Sequence, residues 1–402
     1  MASASAKSNA SPARPITPAP PAPSPKNPSP PPIPTQIGTA SNRASANISA
    51  PPSNSNPTKS AANSPSLSTA TTTSNASSTS SESLSRKDQN MNLPPTYICP
   101  RATAKPSLTG HASDPIWEAA PWITTWRDIR GLETCPTQLK AKLMWDDEFL
   151  YLAAQMAEPD LWAFQTEHDS SIWLDNAFEL FLDPDGDGHN YLEWEINPIG
   201  VTLDMSMDRL YVCGGTRDDS LEIPDLELKL IADGPVNDPQ SKAKGWAFGA
   251  AFPWSTLTQI GHSGTAPKVG DIHRFNLMKM FWPVQVINGA YVKDETQLEK
   301  YWCFAPTHML DIHRPHFWGY LQFAETADST ITPDADWATK LALCDALGLI
   351  SRPRDQITYP RSSIIPQSGQ SLIDHPSGYA ITAIAPSGTQ YQITADGRLT
   401  NQ

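Results

Sequence analysis

The chain has 402 residues, 40 prolines, 13 tryptophans and a formal charge of −13 at pH 7. Residues 1–92 hold no Phe, Trp or Tyr and carry seven basic against two acidic side chains, so the remainder is strongly acidic. An acidic, Trp-rich folded part argues against nucleic acid or an anionic membrane as partner, and no apolar run approaches the roughly 20 residues that span a bilayer.

The first segment, 1–95, is Ser, Pro, Ala and Thr with 18 of the 40 prolines. Such a composition buries too little apolar surface to offset its own ordering, and a disordered tail is expected. It shows no apolar leader. The five cysteines (Cys99, Cys135, Cys213, Cys303, Cys344) are dispersed without a CxxC pair, which favours free thiols over a zinc site or disulfide framework.

Folded structure is expected from about residue 96. Asp114-Pro115 predicts a capped helical turn, with Pro at its first position. Gln138–Trp145 alternates and is followed by an Asp146-Asp147 turn and Phe149–Ala157, which together read as a hairpin. The run IWLDNAFELFLDPDGDGHNYLEWEIN, 172–197, reads as the central hairpin. Phe178, Leu180, Leu182, Leu192, Trp194 and Ile196 fall on one face. Glu179, Phe181, Tyr191, Glu193, Glu195 and Asn197 fall on the other, with Trp173 at the entrance. An aromatic plane beside carboxylates and an amide has the chemistry of a sugar platform.

Further strands are expected over 200–207, 226–232, 245–252, 274–282, 300–304 and 318–323, with one helical turn at Pro253–Leu257. About ten short strands and almost no helix predict an all-β fold, an antiparallel β-sandwich over 96–325. Residues 326–402 change character: helical spacing over Asp336–Leu349, then Tyr379–Ile384 and Gln390–Thr394 around Pro386-Ser387-Gly388. This predicts a small C-terminal appendage of a helix and a hairpin.

Four runs carry a resemblance. TGHASDPIWEAAPW, LMWDDEFLYLAAQMAEPDLWA, DNAFELFLDPDGDGHNYLEWEINPIG and LDIHRPHFWGYLQF occur in this order within residues 97–325. Together they resemble the family 9 carbohydrate-binding modules, and more narrowly the free-standing family 9-like proteins. The resemblance implies a glycan-binding β-sandwich, taking part in polysaccharide recognition or carbohydrate catabolism. It implies a sugar held between two tryptophans, with Trp173 as the first and Glu179 as a hydrogen-bonding partner. Asn197 matches an Asn that contacts hydroxyls. Glu195 stands where those modules place an Arg, and Ile312 where they place the second Trp; Trp302, His313 or Trp318 are the nearby substitutes. The family also implies an extracellular protein should the true start lie elsewhere, and a cytoplasmic one otherwise.

Asp183-Pro184-Asp185-Gly186-Asp187-Gly188 matches the opening of a calcium loop, but position twelve is Trp194 rather than an acid. A tight hairpin turn needs the same Asp and Gly residues, so calcium at Asp183, Asp185 and Asp187 and a metal-free turn both stand. Two other functions stay open. Glu193 with Glu195, or Glu179 with Glu195, would serve a hydrolase of O-glycosyl bonds. Met278, Met280 or His308 would serve a haem-binding sandwich.

Overall fold

The computed structural model describes residues 93–261, 264–349, 368–376 and 378–402. The tail expected to be disordered therefore lies, up to residue 92, outside the described residues.

Period-two alternation places apolar side chains on facing sides of two sheets. The larger sheet runs in the order β1 (Thr96–Pro100), β15 (Gly319–Ala324), β11 (Ile272–Phe281), β5 (Phe178–Asp183), β6 (Tyr191–Ile196), β7 (Thr202–Met207) and β8 (Arg217–Asp218). Two further strands, β14 (Lys300–Cys303) and β2 (Arg127–Asp128), extend it beside β11. The smaller sheet is β3 (Leu139–Trp145), β4 (Phe149–Ala157), β10 (Gly245–Pro253) and β9 (Glu227–Ala232).

Leu180 and Trp194 of the first sheet meet Phe248 and Phe252 of the second, and the Trp194 and Phe252 rings stand edge to face at 4.9 Å. One continuous core thus joins the sheets into a sandwich. Pairing is antiparallel except at one edge, where β1 runs parallel to β15. Sequence alternation missed the short edge strands and the protruding hairpin of β12 (Val284–Ile287) and β13 (Ala290–Lys293). The edge strands β2 and β8 are too short for period two to register, whereas the β12–β13 hairpin is marked by its turn, Asn288-Gly289, both at positive φ (53° and 79°).

The segment after residue 325 forms the expected helix, Trp337–Leu347, closed by Gly348 at φ 86°. Its strands make a four-stranded meander rather than a hairpin alone: β16 (Gln370–His375), β17 (Gly378–Ile384), β18 (Gln390–Thr394) and β19 (Leu399–Asn401). Leu343, Leu347, Ile381 and Ile393 pack against Leu210, Val212 and Phe317 of the sandwich. The five cysteines are free thiols.

Candidate functional site

Both arms of the β5–β6 hairpin are buried at every residue. The inner face meets the expectation: Phe178, Leu180, Leu182, Leu192, Trp194 and Ile196 lie in the inter-sheet core. The outer face does not form an open platform. Ile172, Ile312 and Trp318, from segments returning from other parts of the sequence, pack with Phe181 and Tyr191 beside Met278 and Met280 of the neighbouring strand β11 and cover it. Alternation reports which side a residue faces, not what later lies on that side.

Under this cover Glu179, Glu193 and Glu195 converge, with carboxylate oxygens within 4.8 Å of one another. Glu179 and Glu195 are each 1 % exposed, and one oxygen of each lacks a hydrogen-bond partner among the described residues. Burial, and next the neighbouring carboxylates, push both well above the usual carboxyl range. Lys279 approaches from β11, but its ammonium donates to Met280 O and pairs with Glu158 at 3.2 Å. Burial lowers its own pKa. Burial and the repulsion between neighbouring carboxyls thus favour the protonated forms of Glu179 and Glu195.

Asn197 is wholly buried, and its side chain is spent on the chain itself. Its amide donates to Gln165 O (2.8 Å) and Asp175 (3.2 Å), and its oxygen accepts from Ile199 N and Val201 N. Asp175 in turn accepts from Phe164 N and Gln165 N. Asn197 therefore latches the loop that carries Trp173. His313 is buried too, 3.1 Å from the Tyr191 hydroxyl, 3.7 Å from Glu193, and under the Tyr211 ring at 4.5 Å. Trp302 belongs to the inter-sheet core, and Trp318 is fully buried with its indole donating to Ile312 O. None of the three substitutes for the second tryptophan stands at the surface.

Trp173 is half-buried at the rim of the outer-face cluster. Two neighbours of this ring were not legible in the sequence. Arg217, on edge strand β8, holds its guanidinium 5.1 Å over the Trp173 ring and favours the ionised form of Glu195 from nearby. A guanidinium thus reaches this corner from another strand although Glu195 occupies the position expected for Arg. Trp282, just past β11, is also half-buried; its indole donates to Trp173 O at 2.8 Å, and Lys293 lies over its ring at 3.8 Å. Phe164 (53 % exposed) and Leu174 (39 %) leave apolar surface on the same loop. The partners sit 109 residues apart for the two tryptophans, so no local pattern joins them.

The β5–β6 turn brings Asp183, Asp185 and Asp187 within 4.8 Å. Asp183 accepts from Gly186 N and Gly188 N, both at 3.0 Å, and both glycines have positive φ (69° and 85°). Asp187 accepts from His189 N and lies 3.4 Å from Arg398. Burial, then the other two aspartates for Asp183 and Asp185 for Asp187, raise both carboxyls. Oxygen donors held together against their own repulsion fit a hard cation. Elsewhere, Met278 and Met280 are packed inside the outer-face cluster, and His308 is exposed beside Arg130 O.

The sandwich carries a half-buried tryptophan at the mouth of its central hairpin. Residues 108–206 match the family model "Carbohydrate family 9 binding domain-like", which places that stretch among family 9-like modules. Among solved structures, a family 9 carbohydrate-binding module from Caldicellulosiruptor kristjanssonii in complex with cellotriose is 18 % identical. It covers 59 % of this chain and 98 % of its own, with a TM-score of 0.38. The same module with glucose is 17 % identical over 59 % and 100 %, at a TM-score of 0.38. A candidate carbohydrate-binding protein from Bacteroides uniformis is 15 % identical over 57 % and 99 %, at 0.43. No curated protein sequence matches the chain. Among the described residues, no helix is long and apolar enough to cross a membrane.

Proposed function

We propose that this protein binds glycans at the corner where Trp173 and Trp282 emerge from the sandwich, and that it serves polysaccharide recognition. The observation that carries the reading is the pair of half-buried indoles, Trp282 donating its indole N–H to the Trp173 main-chain oxygen at 2.8 Å and each ring accompanied by a cation. Indole planes take the C–H faces of a sugar ring at low entropic cost. Arg217, tethered to Asp219 at 3.0 Å, is placed to donate to hydroxyls beside the Trp173 ring. Asn197 supports this corner from beneath through its latch, and Glu179 and Glu195 lie buried behind it, rather than touching the sugar. We further propose that calcium, when bound by Asp183, Asp185 and Asp187, closes the β5–β6 turn by neutralising three acids that otherwise repel.

Titration calorimetry with cello-oligosaccharides tests the main reading. Trp173→Ala is expected to abolish heat of binding while the protein still melts cooperatively. Arg217→Ala is expected to weaken binding by about 1–3 kcal/mol, the range for a hydrogen bond from a charged group. Wild-type affinity in Trp173→Ala would place the ligand elsewhere.

A further inference from the structure

A second cavity, of about 580 Å³, opens between the sandwich and the C-terminal meander, away from Trp173. Its size lies within the roughly 300–1,000 Å³ of small-molecule sites. Its wall includes Arg274 of β11, Tyr320 of β15, Trp337 and Lys340 of the helix, Tyr391 of β18 and Arg398 before β19. The meander is docked here by Leu399 N donating to Asp187 O at 3.0 Å and by His316 Nε2, 2.8 Å from Gly397 O.

The charges at this junction do not balance where they are buried. Lys340 pairs with Asp334 at 2.9 Å, and Arg398 with Asp187 at 3.4 Å. That leaves Asp185, which is exposed to water at the rim, and Arg274, which is only 8 % exposed. Arg274 forms no ion pair among the described residues. Its Nε donates to Pro315 O and its Nη2 to His316 O, and Nη1 has no partner. The guanidinium is instead sandwiched on aromatic faces, 4.1 Å over Tyr320 and 5.6 Å from Trp337. A buried cation held by carbonyls, rings and the Tyr320 side chain, with no carboxylate in ion-pair reach among the described residues, leaves its charge without a counter-charge beside open space.

We propose that this cavity is a second ligand site that takes a carboxylate-bearing sugar of the hexuronate class, its carboxylate answering Arg274 and its ring lying against Trp337 and Tyr391. The carboxylate follows from the planar guanidinium, which pairs with two oxygens at once. That the rest of the ligand is a sugar rests on the carbohydrate-binding reading above, together with a volume far larger than a bare ion and three aromatic walls.

The test is titration calorimetry of the full chain in a Trp173→Ala background, which removes the first site, using glucuronate, glucose, acetate and inorganic phosphate. Glucuronate is expected to bind saturably and at least about tenfold more tightly than glucose, which lacks the bidentate charge pair, and than acetate and phosphate, which lack the sugar ring. Arg274→Lys, which keeps the charge but not the fork, is expected to lower that affinity about tenfold. Thr400→Trp and Asn401→Trp fill the cavity from its exposed lip and are expected to abolish binding at an unchanged melting temperature. Glucuronate binding no better than glucose, or binding that survives the filling variants or Arg274→Lys, overturns the proposal. Equal binding of acetate or phosphate overturns its sugar part. Should wild type ignore neutral sugars while Trp173→Ala still binds glucuronate, the first site fails and this one stands.

Discussion

The two faces of the β5–β6 hairpin are equally dry and chemically opposite. Trp194 faces inward among Phe248 and Phe252. Its neighbours Glu193 and Glu195 face outward into a cluster of acids that is also out of solvent. Burial stabilises the first face, because apolar area leaves water at no polar cost. On the second face the same burial strips hydration from three carboxyls. One hairpin thus carries both the firmest packing of the sandwich and a store of electrostatic strain directly beneath the candidate sugar corner.

The comparison can be broken most sharply at Trp194. Trp194→Ala opens a cavity between the sheets and is expected to cost about 3–5 kcal/mol, read as a fall in denaturation midpoint with unchanged m-value. Trp173→Ala, at the rim, should cost far less.

Chelation comes next. If calcium closes the β5–β6 turn, a metal concentration one hundred times its Kd stabilises by about 2.7 kcal/mol. EDTA should then lower the melting temperature of metal-loaded protein, and Asp183→Asn should erase that response. A melting curve indifferent to EDTA, with no metal in the purified protein, leaves the turn closed by hydrogen bonds alone.

Asn197→Ala removes the latch while leaving both faces intact. Four hydrogen bonds go at once, with the buried Asp175 left short of a donor, and a cost of about 1–3 kcal/mol is expected. Because the latched loop carries Trp173, sugar affinity should fall in the same variant although Asn197 itself is buried. Retained affinity would separate the latch from the binding corner.

The smallest effect has the opposite sign. Glu179 and Glu195 hold protons more tightly folded than unfolded, so the native state binds more protons above the ordinary Glu range. Stability then falls as pH rises from about 4.5 toward the raised folded values. Glu195→Gln removes one titrating member and is expected to gain about 1 kcal/mol at pH 8. The gain should shrink as pH falls below the ordinary Glu range, where Glu179 and Glu195 become protonated in the unfolded chain as well. A variant less stable than wild type at pH 8 would mean that Glu195 works as an anion.

Local pattern carried the sandwich a long way. The apolar run Phe149–Ala157 after the Asp146-Asp147 turn located β4 to the residue, and Phe178–Leu182 with Leu192–Ile196 identified the inner face. Asp114 before Pro115 marked a real cap, its side chain accepting from Ile116 N at 3.0 Å. The helix over Trp337–Leu347 followed from apolar spacing and the stop at Gly348. The candidate site was legible only at Trp173. Trp302, His313 and Trp318 have the right chemistry for a clamp and were read as substitutes, yet all three are buried.

The amino-acid sequence alone determined what depends on neighbours along the chain: strand faces, turn residues and the segregation of aromatics from the Ser/Pro tail. Those are short-range consequences of backbone period and side-chain character. Tertiary structure decided everything that depends on what lies across a face. It covered the outer side of the hairpin, turned Asn197 into a latch, and set Arg217 and Trp282 beside Trp173. It also stranded Arg274 beside a cavity. Each of those contacts joins residues dozens to more than a hundred positions apart. A side chain's environment there is fixed by chain return and packing, which no local period records.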